Sequence, residues 1–335
     1  MLINGVLLEG LEEVLDLLRR SDGRIIIEAP TGLRGVAVEV SRMLGSGRAM
    51  VSGRNTWGSC DITPTPGTSI IHIGHALPPN IEGILRMNGA SIDRGGGLTI
   101  IKFKDSTIYL VPAYYEPDPE VEEALISKLR QAGAPKLIAY ALPYKLYADH
   151  LAAVLGAQLF GPFTGCFFPL KVDGAGVVAG GLFYSMTVKL VNPNARVLAI
   201  DPHRITVEDI DREYRRFLAM KVSALIKARE AKRVAVILTG KPGQSMEMRV
   251  NDVLAYLRSN GIDSFLVYGD EVGPDLINEL SVDAVINTAC PRLGFDDLDR
   301  VNKPVINMGE IKYLRNGLDD YLSAKVLAWP GDAGK

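Results

Sequence analysis

Short runs of aliphatic and β-branched residues alternate along this chain with longer stretches in which apolar positions recur every three or four residues. The first pattern marks strands and the second amphipathic helices; their alternation points to mostly parallel sheets crossed by helices. In the first third, Arg24-Ile25-Ile26-Ile27-Glu28 reads as a strand and residues 32–44 as the helix after it. Residues 49–51 and 69–73 are two further predicted strands. The middle third carries predicted strands at 107–111, 136–140 and 196–200, with helices at 117–131 and 143–155. The last third runs helix 208–230, strand 234–238, helix 244–259, strand 264–268, helix 274–280 and strand 283–287. Residues 174–188 are apolar and glycine-rich and read as buried strand and loop, and Arg94-Gly95-Gly96-Gly97 as a flexible loop.

The expected fold class is therefore α/β, with three related units of mostly parallel sheet spanning 1–105, 106–205 and 206–335. One cysteine falls in each: Cys60 after the strand at 49–51, Cys166 after the helix at 143–155, and Cys290 after the strand at 283–287. Open α/β sheets gather ligands at the carboxyl ends of their strands. Three such edges facing one another would converge on a single central site.

Composition narrows the class. The 335 residues are enough for two or three domains, and a 47% hydrophobic content supports a sizeable core. A formal net charge of −2 supplies no global attraction to nucleic acid or to a membrane surface. No run of about 18 uncharged apolar residues is present, so no membrane span is expected. The opening residues lead into the acidic stretch 9–16, which does not read as a secretory signal. An odd cysteine count argues for reduced thiols and a cytoplasmic protein.

Each cysteine taken alone fits a small buried hydrophobe. Taken together, one per unit and each beside turn-forming residues, they suggest a shared metal site. A zinc site would need a fourth ligand, for which His75 is the nearest candidate. Iron–sulfur clusters are normally held by four cysteines, so three would leave one iron open. An open iron suits a small substrate or S-adenosylmethionine (SAM), whose amino and carboxylate groups can ligate it. Gly240-Lys241-Pro242-Gly243-Gln244-Ser245 follows an apolar strand and opens a helix, as an ordinary βα turn or as a cradle for a carboxylate. It lacks the spacing of a phosphate-binding Walker loop. Arg292, two residues after Cys290, could pair with a carboxylate or stand in a solvated loop. Asp296 and Asp297 read as a helix N-terminus. Strand alternation sends His72 and Gly74 to one face, so His72 and His75 are expected to diverge. His150, in a predicted helix, and His203, in a turn, have no constellation around them.

Several segments resemble the archaeal diphthamide synthases, an atypical branch of the radical-SAM enzymes. Ala29-Pro30-Thr31-Gly32-Leu33, Trp57-Gly58-Ser59-Cys60-Asp61 and His72-Ile73-Gly74-His75 are similar to three of that family's motifs. Lys241-Pro242-Gly243-Gln244 and Asn287-Thr288-Ala289-Cys290-Pro291-Arg292 resemble its two C-terminal signatures, the latter being the most specific. Trp57 stands where tyrosine is usual, Ile62-Thr63 where acidic residues are common, and Tyr184 where histidine is frequent.

The resemblance implies a homodimer of three-domain subunits in which Cys60, Cys166 and Cys290 bind a [4Fe–4S] cluster. It implies that SAM ligates the open iron and that its 3-amino-3-carboxypropyl group passes, as a radical, to C2 of a histidine on translation elongation factor 2. Gly243, Gln244, Ser245 and Arg292 are the expected contacts for the amino-acid end of SAM. An external electron donor is required. Two relatives in chemistry stay open: a quinolinate-synthase-like enzyme with a three-cysteine cluster, and a non-catalytic partner subunit. A metal-free small-molecule binding protein with merely buried cysteines is the third alternative.

Overall fold

The computed structural model describes residues 1–321 apart from 46, 296, 297, 316, 317, 319 and 320. The predicted helix start at Asp296 and Asp297 lies outside the described residues.

The chain opens with a hairpin of β1 (Leu2–Ile3) and β2 (Val6–Leu8), followed by α1 (Leu11–Arg19). Next come β3 (Arg24–Glu28), α2 (Arg34–Leu44), β4 (Ala49–Val51), β5 (Thr68–Ile73) and α3 (Pro79–Met87). An antiparallel hairpin of β6 (Ser91–Gly95) and β7 (Leu98–Phe103) leads into β8 (Ser106–Val111) and β9 (Ala113–Tyr115). The main sheet has the order β4-β3-β5-β8-β7-β6, and β9 joins the N-terminal hairpin in a small separate sheet. β3, β4, β5 and β8 run parallel, with Glu28 in register with His72. Strand alternation splits β5 between two cores. Ile71 and Ile73 pack under α1 and α2, whereas Ile70 packs with Ile108, Leu110 and the α3 residues Ile81, Ile84 and Leu85.

The second unit contains α4 (Pro119–Ala132), β10 (Leu137–Tyr140), α5 (Lys145–Leu155), β11 (Gln158–Phe160), β12 (Gly174–Val178), α6 (Phe183–Val191), β13 (Arg196–Asp201) and β14 (Thr206–Asp209). Its sheet order is β11-β10-β12-β13-β14, parallel except for β14. The Asp118 side chain caps α4 by accepting from the backbone N–H groups of Glu120 and Val121. The segment expected as strand and loop at 174–188 is instead strand followed by helix. Phe183, Met186 and Leu190, at i, i+3 and i+7, give α6 an apolar face that a period-two reading overlooks.

The third unit is α7 (Asp211–Arg229), β15 (Arg233–Leu238), α8 (Glu247–Ser259), β16 (Asp263–Tyr268), α9 (Pro274–Glu279), β17 (Ala284–Asn287) and β18 (Val305–Asn307). Its sheet is all parallel in the order β16-β15-β17-β18. The helix expected from 208 starts only at Asp211, because Thr206-Val207-Glu208-Asp209 pairs antiparallel with β13. The sheets therefore change over between Tyr115 and Pro119 and between Asp209 and Asp211. Phe183, Met186 and Leu190 of α6 share one apolar cluster with Leu225 of α7, Val250 of α8 and Ile286 of β17, which fuses the second and third units.

Candidate active site

Cys60 lies on a loop beyond β4 that folds around an acidic side chain. The Asp61 carboxylate accepts the backbone N–H of Trp57 at 3.0 Å, and the Asp61 N–H donates to the Gly58 carbonyl at 2.9 Å. A Cβ on Gly58 would sit 3.4 Å from the Cys60 sulfur. Cys166 occupies a tight turn in which the Phe167 N–H donates to the Thr164 carbonyl at 3.0 Å. That turn lies against the start of α6. A Cβ on Gly165 would be 2.4 Å from the Phe183 ring, and the Thr187 hydroxyl donates to the Gly165 carbonyl. Only glycine fits there.

Cys290 ends the passage from β17. Its carbonyl accepts from the Asn287 side-chain amide at 2.8 Å, and the same amide donates to Asn307 Oδ1 at 2.8 Å. Asn307 in turn donates to the Pro291 carbonyl. Two buried asparagines thus hold the loop open at the carboxyl edge of the third sheet.

Three loops from three sheets bring the thiols together. All three are half-buried and free, and they lie within electrostatic reach of one another. Burial, then Cys290, Asp61 and Cys166, push the Cys60 thiol well above its ordinary value. Burial pushes Cys166 up to about 11, and burial followed by Cys166 pushes Cys290 up to about 12. Three thiolates could coexist here only with a compensating cation. Among the described residues no trio of His, Cys, Asp or Glu is close enough to hold one ion. Three sulfurs that each bind a different metal atom of a multi-iron cluster stand farther apart than three ligands on one ion. Three thiols make a soft donor set.

The loop between β15 and α8 closes over Cys60. A Cβ on Gly243 would be 2.5 Å from the Cys60 carbonyl oxygen, and Gln244 Nε2 is 3.8 Å from the Cys60 sulfur. Lys241 Nζ donates to Asp61 at 2.6 Å and to Glu271 at 2.8 Å. Burial opposes its charge, but the two carboxylates outweigh that and raise its pKa. Asn88, at the end of α3, donates to the Pro242 carbonyl at 2.8 Å. The backbone N–H groups of Gln244 and Ser245 both turn back onto the Lys241 carbonyl at 2.9 Å, and that of Gly240 donates to Asp270. These donors are thus used inside the loop rather than offered as an anion cradle. α8 starts at Glu247, three residues later than expected.

Arg292 stacks between aromatics of the other two units, its guanidinium carbon 4.4 Å from the Trp57 ring centre and 4.8 Å from that of Phe183. Tyr184, beside Cys166 and Arg292, is pushed up to about 12 by burial, with Cys166 adding to it, and so stays a neutral donor. Neither stack nor phenol is signalled by local sequence, since each contact spans two units.

The two histidines do not diverge. His72 Nε2 and His75 Nδ1 are 3.0 Å apart, and His72 Nδ1 is 3.1 Å from Glu28 Oε2. Gly74 adopts a φ of +95° and turns the chain back, which returns His75 to the His72 side. Burial first, and His72 second, hold the His75 pKa well below its usual value. His75 is thereby engaged with His72 rather than set among the thiols as a fourth ligand. His150 pairs with Glu122 at 2.8 Å, and His203 packs edge-on against Tyr115 and Tyr144.

Comparison with known proteins places these features in context. A family model for diphthamide synthesis proteins matches residues 146–322. A 2-(3-amino-3-carboxypropyl)histidine synthase of Pyrococcus horikoshii is 25% identical, covering 96% of this chain and 94% of its own. The enzyme of that name from Methanocaldococcus jannaschii is 23% identical over 90% of this chain and 87% of its own. A crystal structure of Dph2 from Pyrococcus horikoshii with a 4Fe–4S cluster superposes with a TM-score of 0.69 at 21% identity, covering 91% of this chain and 90% of that one. Among the described residues no helix is long and apolar enough to cross a membrane.

Proposed function

The chain belongs to the family of diphthamide synthesis proteins, and on that premise we propose that it is a 2-(3-amino-3-carboxypropyl)histidine synthase. In this reading it moves the 3-amino-3-carboxypropyl group of SAM to C2 of a histidine imidazole on translation elongation factor 2, the first step of diphthamide formation. The observation that carries the reading is the meeting of Cys60, Cys166 and Cys290, each delivered by a different sheet, at one half-buried place. The archaeal relatives' names, and the cluster in the Dph2 structure, support it from outside the chain.

Cys60, Cys166 and Cys290 would hold a [4Fe–4S] cluster. When bound, such a cluster would supply the electron needed to break the bond from sulfur to the γ-carbon of SAM and a site for its amino and carboxylate groups. The chain's own residues do the rest by position. Gln244 directs its amide at the Cys60 sulfur, and the Lys241–Asp61 pair clamps together the two loops that carry them. Trp57 and Phe183 fix the plane of Arg292, which makes it the residue we assign to the SAM carboxylate. Gly243 permits the closest approach of the loop to Cys60. With its N–H turned onto Lys241, Ser245 would have to offer its hydroxyl at the amino-acid end of SAM. The sheet-centred units are taken as three domains, with the divisions expected at 105/106 and 205/206 moved to 115–119 and 209–211 because β8 pairs with β5 and β14 with β13. The working enzyme is a homodimer with an external electron donor, in the reducing cytoplasm that free thiols favour.

Anaerobic incubation with carboxyl-labelled SAM, dithionite and the elongation factor tests this. Label should pass to the factor, and Cys290→Ala should abolish both the transfer and the bound iron. A colourless, iron-free wild-type protein after anaerobic purification would refute the cluster. Iron and sulfide without transfer would turn the reading toward dehydration chemistry on small molecules.

A further inference from the structure

Replacing a C–H bond by a C–C bond at C2 of an imidazole, with SAM as donor, uses no net electrons, because the electron taken up in cleaving SAM is given back to the donor when the imidazole adduct loses its C2 proton. SAM loses its positive charge in becoming a thioether, and one proton leaves C2 for each group transferred. That proton must be taken up at the site. A base that accepts it contributes most when it is already aimed and when a second group absorbs the resulting charge.

The chain Glu28–His72–His75 has that form. The Glu28 carboxylate accepts from His72 Nδ1, which assigns the His72 proton to Nδ1 and leaves Nε2 as an acceptor. His72 Nε2 then accepts from His75 Nδ1, which leaves the lone pair of His75 on Nε2. Glu28 and His72 are buried, whereas His75 is only half-buried. The carboxylate end of the chain is thus fully buried, and His75 is its least buried member.

Its placement ties it to the thiols. Along β5, His72 shares a face with Ile70, and across the register on β3 Glu28 shares a face with Ile26. Ile70 and Ile26 belong to the apolar cluster against which Cys60 and Cys166 pack. Leu77, two residues beyond His75, joins the same cluster. His75 follows β5 at the carboxyl edge of the sheet, the edge from which the Cys60 loop also emerges after the parallel strand β4.

Resting on the function proposed above, we infer that Glu28, His72 and His75 form a proton relay that serves the transfer. Nε2 of His75 accepts the proton released at C2 of the target imidazole. The Nδ1 proton of His75 passes to His72 Nε2, and the Nδ1 proton of His72 to the Glu28 carboxylate. One proton enters at His75 and one negative charge is neutralised at Glu28, so the relay balances. His72 and Glu28 are positioning residues that act through His75.

The experiment measures, in one anaerobic reaction, methylthioadenosine released from SAM and aminocarboxypropyl label fixed on the elongation factor. The relay predicts that Glu28→Gln and His75→Gln each raise the ratio of release to fixation at least tenfold over wild type. Glutamine at 28 still accepts the His72 hydrogen bond but cannot take a proton. An unchanged ratio in Glu28→Gln would therefore reduce the trio to scaffolding and overturn the relay. Absence of label transfer by the wild-type enzyme would instead overturn the function on which the relay rests. Histidine-selective 15N NMR of the purified wild-type protein, simplified by a total of four histidines, supplies a readout independent of turnover and of variant folding. Both His72 and His75 should carry their proton on Nδ1; an Nε2–H tautomer at His75 would overturn the relay.

Discussion

Lys221 and Lys241 are each buried against a carboxylate that is itself buried, and they do different work. Lys221 of α7 meets Glu310 at 2.8 Å with both side chains fully buried. The Val305 carbonyl, the Asn307 N–H and the Tyr321 hydroxyl complete that network within the third unit. Lys241 meets Asp61 at 2.6 Å, also buried, but its second partner Glu271 is half-exposed, and the pair joins the third unit to the first. The same pair chemistry thus anchors a domain core in one place and registers two domains around a cysteine in the other. Breaking a fully enclosed pair strands a charge, whereas a pair with a route to water can relax.

The largest expected effect follows from the enclosed network. Lys221→Ala should cost about 3–5 kcal/mol of global stability in denaturant unfolding, because Glu310 is left buried without its cation. A loss under 1 kcal/mol would show that the network relaxes as freely as the seam. Lys241→Ala should cost less, about 1.5–3 kcal/mol. Its mark should be local instead: faster amide exchange in residues 57–61 and 240–245, and less iron retained per chain. Uniform loss across the molecule would erase the distinction between the two lysines. Smallest in stability is Gln244→Leu, expected within about 1 kcal/mol of wild type. Removing a donor from the Cys60 sulfur should leave iron content unchanged and move the cluster potential more negative, as hydrogen bonds to cluster sulfurs tune it. An unmoved potential would mean that the seam positions the cysteine without touching its electronics.

Most parallel strands were legible because they are short apolar runs, whereas the three-residue β11 and β18 were not expected. Val234-Ala235-Val236-Ile237-Leu238 and Arg24-Ile25-Ile26-Ile27-Glu28 match their structural limits to within a residue. Strand β14 was missed, its second half taken into the helix predicted from 208, since Thr206 to Asp209 has no apolar period and pairs only because β13 offers it an edge. Hairpin β6–β7 was read as its turn alone. In the site, local composition picks out the three cysteine loops, each by its small residues. It is silent on what they touch. Lys241 and Asp61 are far apart in the chain, and no spacing rule pairs them. The meeting of His72 with His75 was hidden by strand alternation, which holds up to Ile73 and fails at Gly74, where the backbone turns left-handed. Tertiary contacts of this kind are properties of how sheets abut, and no window of sequence contains them.

The stack of Trp57, Arg292 and Phe183 has an optical consequence. It draws one side chain from each unit, and Trp57 is one of just two tryptophans in the chain. An indole lying against a guanidinium emits differently from one facing water, so parting of the units would change the colour and intensity of its fluorescence. The protein carries, beside its three thiols, a built-in gauge of whether they are assembled.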